Sequence, residues 1–247
     1  MPLVSIITPT FNREQFHNRI LSCVRSQTFK DVEWLVLDDS PRRSEILSAI
    51  GDPNVRYQHI ERRITIGAKR NMLLEQAKGD IIMHFDDDDF YSPNYIESML
   101  SAMKAEQLDF VNLQGWFLLD KRNNFFGYWN LLERSGNHFI CLPHGIALLD
   151  SSKINIPNVE LGWGFGYAYR KQVWSRQRFA DVNHNEELVL ALHAHDNNNK
   201  FKAGALVDKT GLCLHVVHRQ SASICAPQYV IPTFMLQSVF QGYQEIE

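Results

Sequence analysis

At 247 residues the chain suits one large domain or two small ones, and it is long enough to bury a core that needs no disulfides. Hydrophobic residues make up 45% and charged residues 21%, an ordinary globular balance, and a formal net charge of −3 sets up no global field toward nucleic acid or an anionic membrane. Cys23, Cys141, Cys213 and Cys225 form no CxxC pair, which argues against a zinc ribbon or dithiol motif; Cys23 and Cys213 read as small buried residues of a reducing compartment. The chain opens on Leu3-Val4-Ser5-Ile6-Ile7 without the pattern of a signal peptide, and no run reaches the ~18 apolar residues of a membrane helix. The expected location is the cytoplasm, at most peripheral to the inner face of the membrane.

The first half alternates strand and helix signals. Leu3 to Thr8 is an apolar, β-branched run, followed by a turn at Pro9-Thr10-Phe11-Asn12. Glu14 to Gln27 carries Phe16, Ile20 and Val24 four apart, a helical stripe. Val32 to Leu37 is a second strand, stopped at Asp38-Asp39-Ser40-Pro41, and Ser44 to Ile50 a second helix. Val55 to Ile60 is a third strand. Gly67 breaks the chain before a third helix, Ala68 to Lys78, with Met72, Leu73 and Ala77 inward and Gly79 closing it. Ile81 to Phe85 is a fourth strand and Pro93 to Glu106 a fourth helix. This order predicts an α/β fold, a mostly parallel sheet flanked by helices. Ligands in such sheets bind beyond the carboxyl ends of the strands. The polar clusters Thr8 to Arg13, Asp38-Asp39 and Asp86 to Asp89 all fall there, so loops from separate strands converge on one crevice.

The second half is less regular. It holds strand-like runs at Phe110 to Leu119 and Ile146 to Asp150, an aromatic segment at Phe125 to Trp129, a helix-like run at Glu186 to His195 and a terminal helix expected over Val230 to Tyr243. No repeat or linker divides the chain. The reading is a single domain in two functional halves, 1–110 and 111–247.

Asp86-Asp87-Asp88-Asp89 is the most informative feature. Adjacent carboxylates repel unless a cation sits among them, and hard oxygen ligands suit Mg²⁺ or Mn²⁺. In an extended stretch Asp86 and Asp88 would share one face. A solvated acidic turn is the plainer reading of such a run in isolation; the apolar strand before it and the converging loops weigh against that.

The chain resembles the family-2 glycosyltransferases, which have the GT-A fold. The resemblance rests on Val4-Ser5-Ile6-Ile7-Thr8-Pro9-Thr10-Phe11-Asn12-Arg13, Ser26-Gln27-Thr28-Phe29, Leu37-Asp38-Asp39-Ser40, Ile66-Gly67-Ala68-Lys69-Arg70-Asn71, and Ala77 to Ile82 followed by Phe85 to Asp89, in order across residues 3–100. It implies that Thr8, Pro9, Phe11 and Arg13 line the nucleotide pocket. Asp39 would accept from the base with Asp38 supporting it. Lys69 or Arg70 would lie near the diphosphate or sugar. Asp86 and Asp88 would form the DxD pair, with Asp88 the metal contact, and Asp87 and Asp89 would face the donor sugar. The cluster Arg62, Arg63, Lys69 and Arg70 reads equally as a solvated face.

The resemblance is thinner after residue 100. Gly162-Trp163-Gly164-Phe165-Gly166 looks like the loop before the family's acceptor site, which places Trp163 and Gly164 on the acceptor. The family's general base is an Asp in a Glu-Asp pair; the matching position here is Glu187, with Glu186 as its rival. Leu214 to Ser221 resembles the late segment that carries a metal-proximal histidine, and His218 fits better than His215. In a strand the two would face opposite sides. The resemblance implies an inverting, metal-dependent transfer of a sugar, UDP-sugar favoured, to a carbohydrate, lipid-linked or other hydroxyl acceptor. Two alternatives stand beside it. A nucleotidyltransferase normally needs a glycine-rich loop after its first strand, and Thr8-Pro9-Thr10-Phe11-Asn12 has no glycine. A non-catalytic nucleotide-sugar-binding module would tolerate the Glu-for-Asp change.

Overall fold

The computed structural model describes residues 3–154, 156, 158–221 and 223–245. In chain order the strands are β1 (Val4–Thr10), β2 (Val32–Asp38), β3 (Val55–His59), β4 (Ile81–His84), β5 (Phe90–Tyr91), β6 (Phe110–Asp120), β7 (Phe125–Asn130), β8 (Asn137–Leu142), β9 (Gly145–Asp150), β10 (Tyr167–Arg170), β11 (Ala203–Val207), β12 (Cys213–Val217) and β13 (Tyr229–Ile231). The helices are α1 (His17–Ser26), α2 (Glu45–Ser48), α3 (Ile66–Gln76), α4 (Tyr95–Glu106), α5 (Lys171–Arg176), α6 (Leu188–His195) and α7 (Leu236–Val239).

The main sheet runs β13-β7-β6-β10-β4-β1-β2-β3, with β4, β1, β2 and β3 mutually parallel and β10 antiparallel against β4. Strand alternation sorts its side chains onto two faces. Val4 and Ile6, Trp34 and Val36, and Ile81 and Met83 pack with Ile20 and Val24 of α1 and Ile96 and Met99 of α4. Ile7, Leu35, Leu37 and Ile82 face the other way, onto Leu73 and Leu74 of α3, Val173 and Trp174 of α5, and Leu190 and Ala191 of α6. Each fully buried Val, Leu, Ile or Met side chain among these contributes about 1.5–3 kcal/mol. This is an α/β domain with a central sheet covered by helices on both faces.

The second half is organised around β6. Its first part lies between β10 and β11, and its second part pairs with β7 and β12. β12 also pairs with the two-residue strand β5, Cys213 opposite Tyr91 and Leu214 opposite Phe90. One residue further that register sets His215 opposite Asp89. β8 and β9 form a separate hairpin, so the strand expected over 146–150 exists but stands apart from the main sheet.

Two expectations are corrected. Gly67 does not break the chain; it lies in the first turn of α3, capped by the Thr65 hydroxyl, which accepts from the Ala68 N–H at 3.0 Å. A side chain at Gly67 would put its Cβ 1.8 Å from the Ala180 carbonyl oxygen, so the glycine permits a close approach between α3 and the later chain. The terminal helix over 230–243 is not formed. Val230 and Ile231 extend β13 against β7, Pro232 cannot donate to a helix, and only Leu236–Val239 is α-helical. Among the described residues no helix is long and apolar enough to cross a membrane.

Candidate active site

A cavity of about 790 Å³ opens at the carboxyl ends of β1 and β4, within the size range of small-molecule sites. Pro9 to Arg13, Arg63, Lys69, Arg70 and Asp86 to Asp88 form its first-half wall. Its second-half wall includes Val159, Trp163, Gly164, Asn183 to Leu188, His215 and Ile224.

The four aspartates divide by alternation, although they form a turn closed by Asp89 N–H to the Asp86 carbonyl at 3.4 Å rather than an extended strand. Asp87 and Asp89 are buried. Asp87 accepts from the Thr10 hydroxyl, and Asp89 takes the Val216 N–H at 2.9 Å and the His215 Nδ1 at 2.9 Å. Asp86 and Asp88 are less covered. Asp86 Oδ1 lies 3.3 Å from Arg70 Nη2, and Asp88 Oδ2 lies 2.7 Å from Arg13 Nη1. Burial pushes the Asp86 carboxyl up to about 6 against the pull of Arg70. Burial, with Asp88 beside it, pushes Asp87 up to about 8. Burial works upward on Asp88 too, but the His218 hydrogen bond and the Arg13 charge outweigh it and hold that carboxyl below the usual range.

His218 lies one residue beyond β12, so the strand alternation that would oppose it to His215 no longer applies. Both histidines turn to the aspartates, His215 to Asp89 and His218 to Asp88. The His218 ring is over-committed. Arg13 Nη1 faces its Nε2 at 2.6 Å and the Gln220 N–H faces its Nδ1 at 3.2 Å. A neutral imidazole has one lone pair and cannot accept from both. The Asp88–His218 edge has the spacing of two adjacent ligands of a divalent cation. Octahedral Mg²⁺ with bonds of about 2.0–2.1 Å sets adjacent ligand atoms about 3 Å apart, and His218 Nε2 lies 3.0 Å from Asp88 Oδ2. Arg13 would have to release that edge. Among the described residues no three His, Cys, Asp or Glu side chains gather to hold an ion alone. Water and ligand oxygens would therefore complete the shell.

The other residues named from the sequence divide into those on the cavity wall and those behind it. Pro9, Phe11 and Arg13 are on it. The Thr8 hydroxyl is behind it, donating to the Phe85 carbonyl at 2.7 Å and accepting from Trp34 Nε1 at 2.9 Å. Asp38 accepts from the Ser40 N–H at 2.9 Å and the Tyr57 hydroxyl at 2.7 Å. Asp39 is buried against Lys69 Nζ at 2.7 Å, the Ile64 N–H at 2.9 Å and Arg63 Nη1 at 3.2 Å. Lys69 also donates to the Thr10 carbonyl at 2.8 Å. Lys69 and Arg70 are buried, so the solvated-face reading fails for both. Trp163 packs edge-on to Trp116 at 5.3 Å and tilted against Trp129 at 4.9 Å, while still reaching the wall.

The carboxylate pair differs in surroundings. Glu186 is buried on Arg70 Nη1 at 2.7 Å. Glu187 begins α6 as its N-cap residue, lies 3.9 Å from the same nitrogen and keeps part of its surface open. Burial pushes the Glu187 carboxyl up, Arg70 pulls it back and Glu186 adds to the rise.

Sequence reasoning named Arg63 only within a basic cluster that also reads as a solvated face, and passed over its place at the site, where its guanidinium lies 3.2 Å from the centre of the Phe11 ring on the cavity wall. It also passed over Arg19, buried between the Phe16 and Tyr243 rings and donating to the Asp88 carbonyl. Helical spacing put Arg19 one residue from core Ile20, but nothing local marks either arginine as part of the site.

Comparisons with known proteins bear on the family and the fold. The profile described as "Glycosyl transferase family 2" matches residues 5–147. An uncharacterized glycosyltransferase of Haemophilus influenzae is 36% identical over 173 residues, covering 65% of this chain and 68% of that protein. Among solved structures, S. aureus TarS 1–349 in complex with UDP-GlcNAc superposes with a TM-score of 0.67 at 17% identity, over 88% of this chain and 59% of that one. The mannosyltransferase PcManGT from Pyrobaculum calidifontis, in complex with GDP-Man and Mn²⁺, gives 0.61 at 15% identity, over 89% and 58%. This chain thus spans under three fifths of each of these solved chains, and at such identities they speak to the fold alone, which is GT-A. With more than half of the sequence matched by the profile, and the strand-end loops of that match meeting at the cavity, the chain belongs to glycosyl transferase family 2.

Proposed function

We propose that the protein is a glycosyltransferase that moves a sugar from a nucleoside-diphosphate sugar, UDP-sugar favoured, to an acceptor hydroxyl with inversion at the anomeric carbon. The observation that carries this is Glu187, a partly open carboxylate in a largely buried setting, sharing one cavity with the Arg13–Asp88 corner. The donor-bound relatives of this fold, one with UDP-GlcNAc and one with GDP-Man and Mn²⁺, support a nucleotide donor.

In this reading Glu187 takes the proton from the acceptor hydroxyl as its oxygen bonds to the anomeric carbon. The bond from that carbon to the diphosphate oxygen breaks on the opposite face, and the nucleoside diphosphate leaves. A raised carboxyl is a stronger base, and a placed general base is worth ~10²–10⁴-fold. Arg13 lies on the cavity wall beside Asp88 and carries positive charge toward the leaving diphosphate. Asp88 and His218, with Asp86 beside them, would hold Mg²⁺ or Mn²⁺, which when bound would neutralise charge on the diphosphate. Phe11 and Arg63 present flat faces suited to a nucleobase. Trp163 and Gly164 fall to the acceptor, whether carbohydrate, lipid-linked or another hydroxyl compound.

The test is a thermal-shift panel of nucleotide sugars with Mn²⁺, followed by product analysis. A UDP-sugar should raise the melting temperature, since a ligand that binds only the folded state stabilises it. Release of nucleoside diphosphate should follow, with slow donor hydrolysis in the absence of acceptor. No shift from any nucleotide sugar would overturn the reading. Pyrophosphate release from a nucleoside triphosphate would favour a nucleotidyltransferase, and binding without turnover a non-catalytic module.

A further inference from the structure

Lys69 and Arg70 are adjacent cations in the first turns of α3, and one or the other was expected near the diphosphate or sugar. The fold sends them to different partners. Lys69 serves Asp39 and the Thr10 carbonyl. Arg70 reaches across the cavity floor, its side chain only 5% exposed. Its Nη1 lies 2.7 Å from Glu186 Oε1, the carboxylate just before the proposed base. Its Nη2 lies 3.3 Å from Asp86 Oδ1, on the aspartate turn. The guanidinium rests 5.6 Å over the Phe179 ring. Along its edge runs the Gly164 backbone, where a Cβ would stand 3.0 Å from Nη1 and 3.3 Å from Nη2. The two terminal nitrogens thus bind carboxylates from the two halves of the chain, and Gly164 leaves the room for them to do so.

We propose that Arg70 is a positioning residue that ties the aspartate turn to the Glu186–Glu187 pair, so that the base is aligned relative to the donor, rather than a cation that binds the diphosphate. This rests on the transfer reading above. A buried guanidinium with both ends committed to carboxylates is held in place and gives up affinity if drawn away to a phosphate. It also supplies positive charge next to the base. The charged and titratable groups facing Glu187 are Arg70 from α3, its neighbour Glu186, Asp86 from the turn and Tyr167 from β10. Of these, Arg70 is the one cation.

The experiment compares the wild-type chain with Gly164→Ala, Arg70→Lys and Glu186→Gln. It measures nucleoside-diphosphate affinity with Mn²⁺ by calorimetry, kcat against pH, and melting temperature. Gly164→Ala retains every charge and shifts the guanidinium by a few tenths of an ångström, so it remains informative if Arg70→Lys does not fold. Misplacement by about 1 Å costs ~10²-fold in rate. Gly164→Ala should therefore lose roughly tenfold in kcat, with nucleotide Kd within about threefold of wild type. The acidic limb of kcat should move to higher pH in Arg70→Lys and Gly164→Ala, because a displaced cation no longer favours the Glu187 carboxylate as strongly. It should move to lower pH in Glu186→Gln, where a neighbouring negative charge is lost. Weakened nucleotide Kd with an unmoved acidic limb would place Arg70 on the diphosphate and overturn the bridge. So would variants with wild-type kcat and limb. A wild-type chain that binds nucleotide sugars and never transfers would overturn the transfer reading itself, and the bridge with it.

Discussion

The two halves of the chain build their walls of the cavity in different ways. In the first half, Pro9 to Arg13 and Asp86 to Asp89 extend from β1 and β4, which pair in parallel register with Ile7 opposite His84. Their positions follow from strand length. In the second half, Trp163, Gly164, Glu186 and Glu187 sit on loops and short turns whose places are set by contacts far along the chain. Asn71 of α3 takes the Phe179 N–H at 3.1 Å and donates to the Phe179 carbonyl at 3.0 Å, and the Ile66 N–H reaches the Asn183 side chain at 3.1 Å. Gly67 admits the Ala180 backbone. A single helix, α3, thus belongs to the first half in sequence and holds the second half in space. Regular pairing is enough to place the first-half wall, while the proposed base is placed by a few specific polar contacts on one helix.

This contrast is open to direct attack. The largest effect should come from Asp88→Ala, which removes the carboxylate shared by Arg13 and His218; transfer should fall by about 10³-fold or more, and EDTA should do the same to the wild-type chain. Initial rates check both, and full activity in either case would detach the first-half wall from the chemistry. Next, Glu187→Gln should cut kcat by ~10²–10⁴-fold with nucleotide affinity intact, measured by calorimetry; lost affinity with unchanged turnover of bound donor would move Glu187 to the donor side. Asp39→Ala should act chiefly on stability. It leaves the buried Lys69 ammonium without its carboxylate, a loss of ~3–5 kcal/mol for breaking a buried pair, read by denaturant melts; an unchanged midpoint combined with weakened nucleotide binding would return Asp39 to the nucleobase. The smallest effect concerns pH. Glu187 must be ionised to act, and burial raises its carboxyl, so kcat should climb with pH through a midpoint above the ordinary ~4.3 of Glu. The same shift means the folded chain holds that proton where the unfolded chain has released it. Its contribution to stability is therefore present at low pH and declines as pH rises from about 4.3 through the folded midpoint.

The alternating runs from Leu3 to Glu106 state their own periods, and apart from α3, which starts ahead of Gly67, the helices and strands form within those runs. The same reading failed over Val230 to Tyr243, because apolar spacing does not reveal that β7 offers an open edge or that Pro232 withholds a donor. It failed in part at His215 and His218, because alternation holds only while the strand lasts and β12 stops at Val217.

From its sequence alone, this protein was bound to form a sheet with polar clusters at the strand ends, since hydrophobic period and turn residues act locally. Which carboxylate of Glu186 and Glu187 keeps an open side, and which cations are committed to carboxylates, was decided only when α3, the aspartate turn and the start of α6 packed together. Charges separated by more than a hundred residues acquire definite partners only when burial removes the water that would otherwise solvate them.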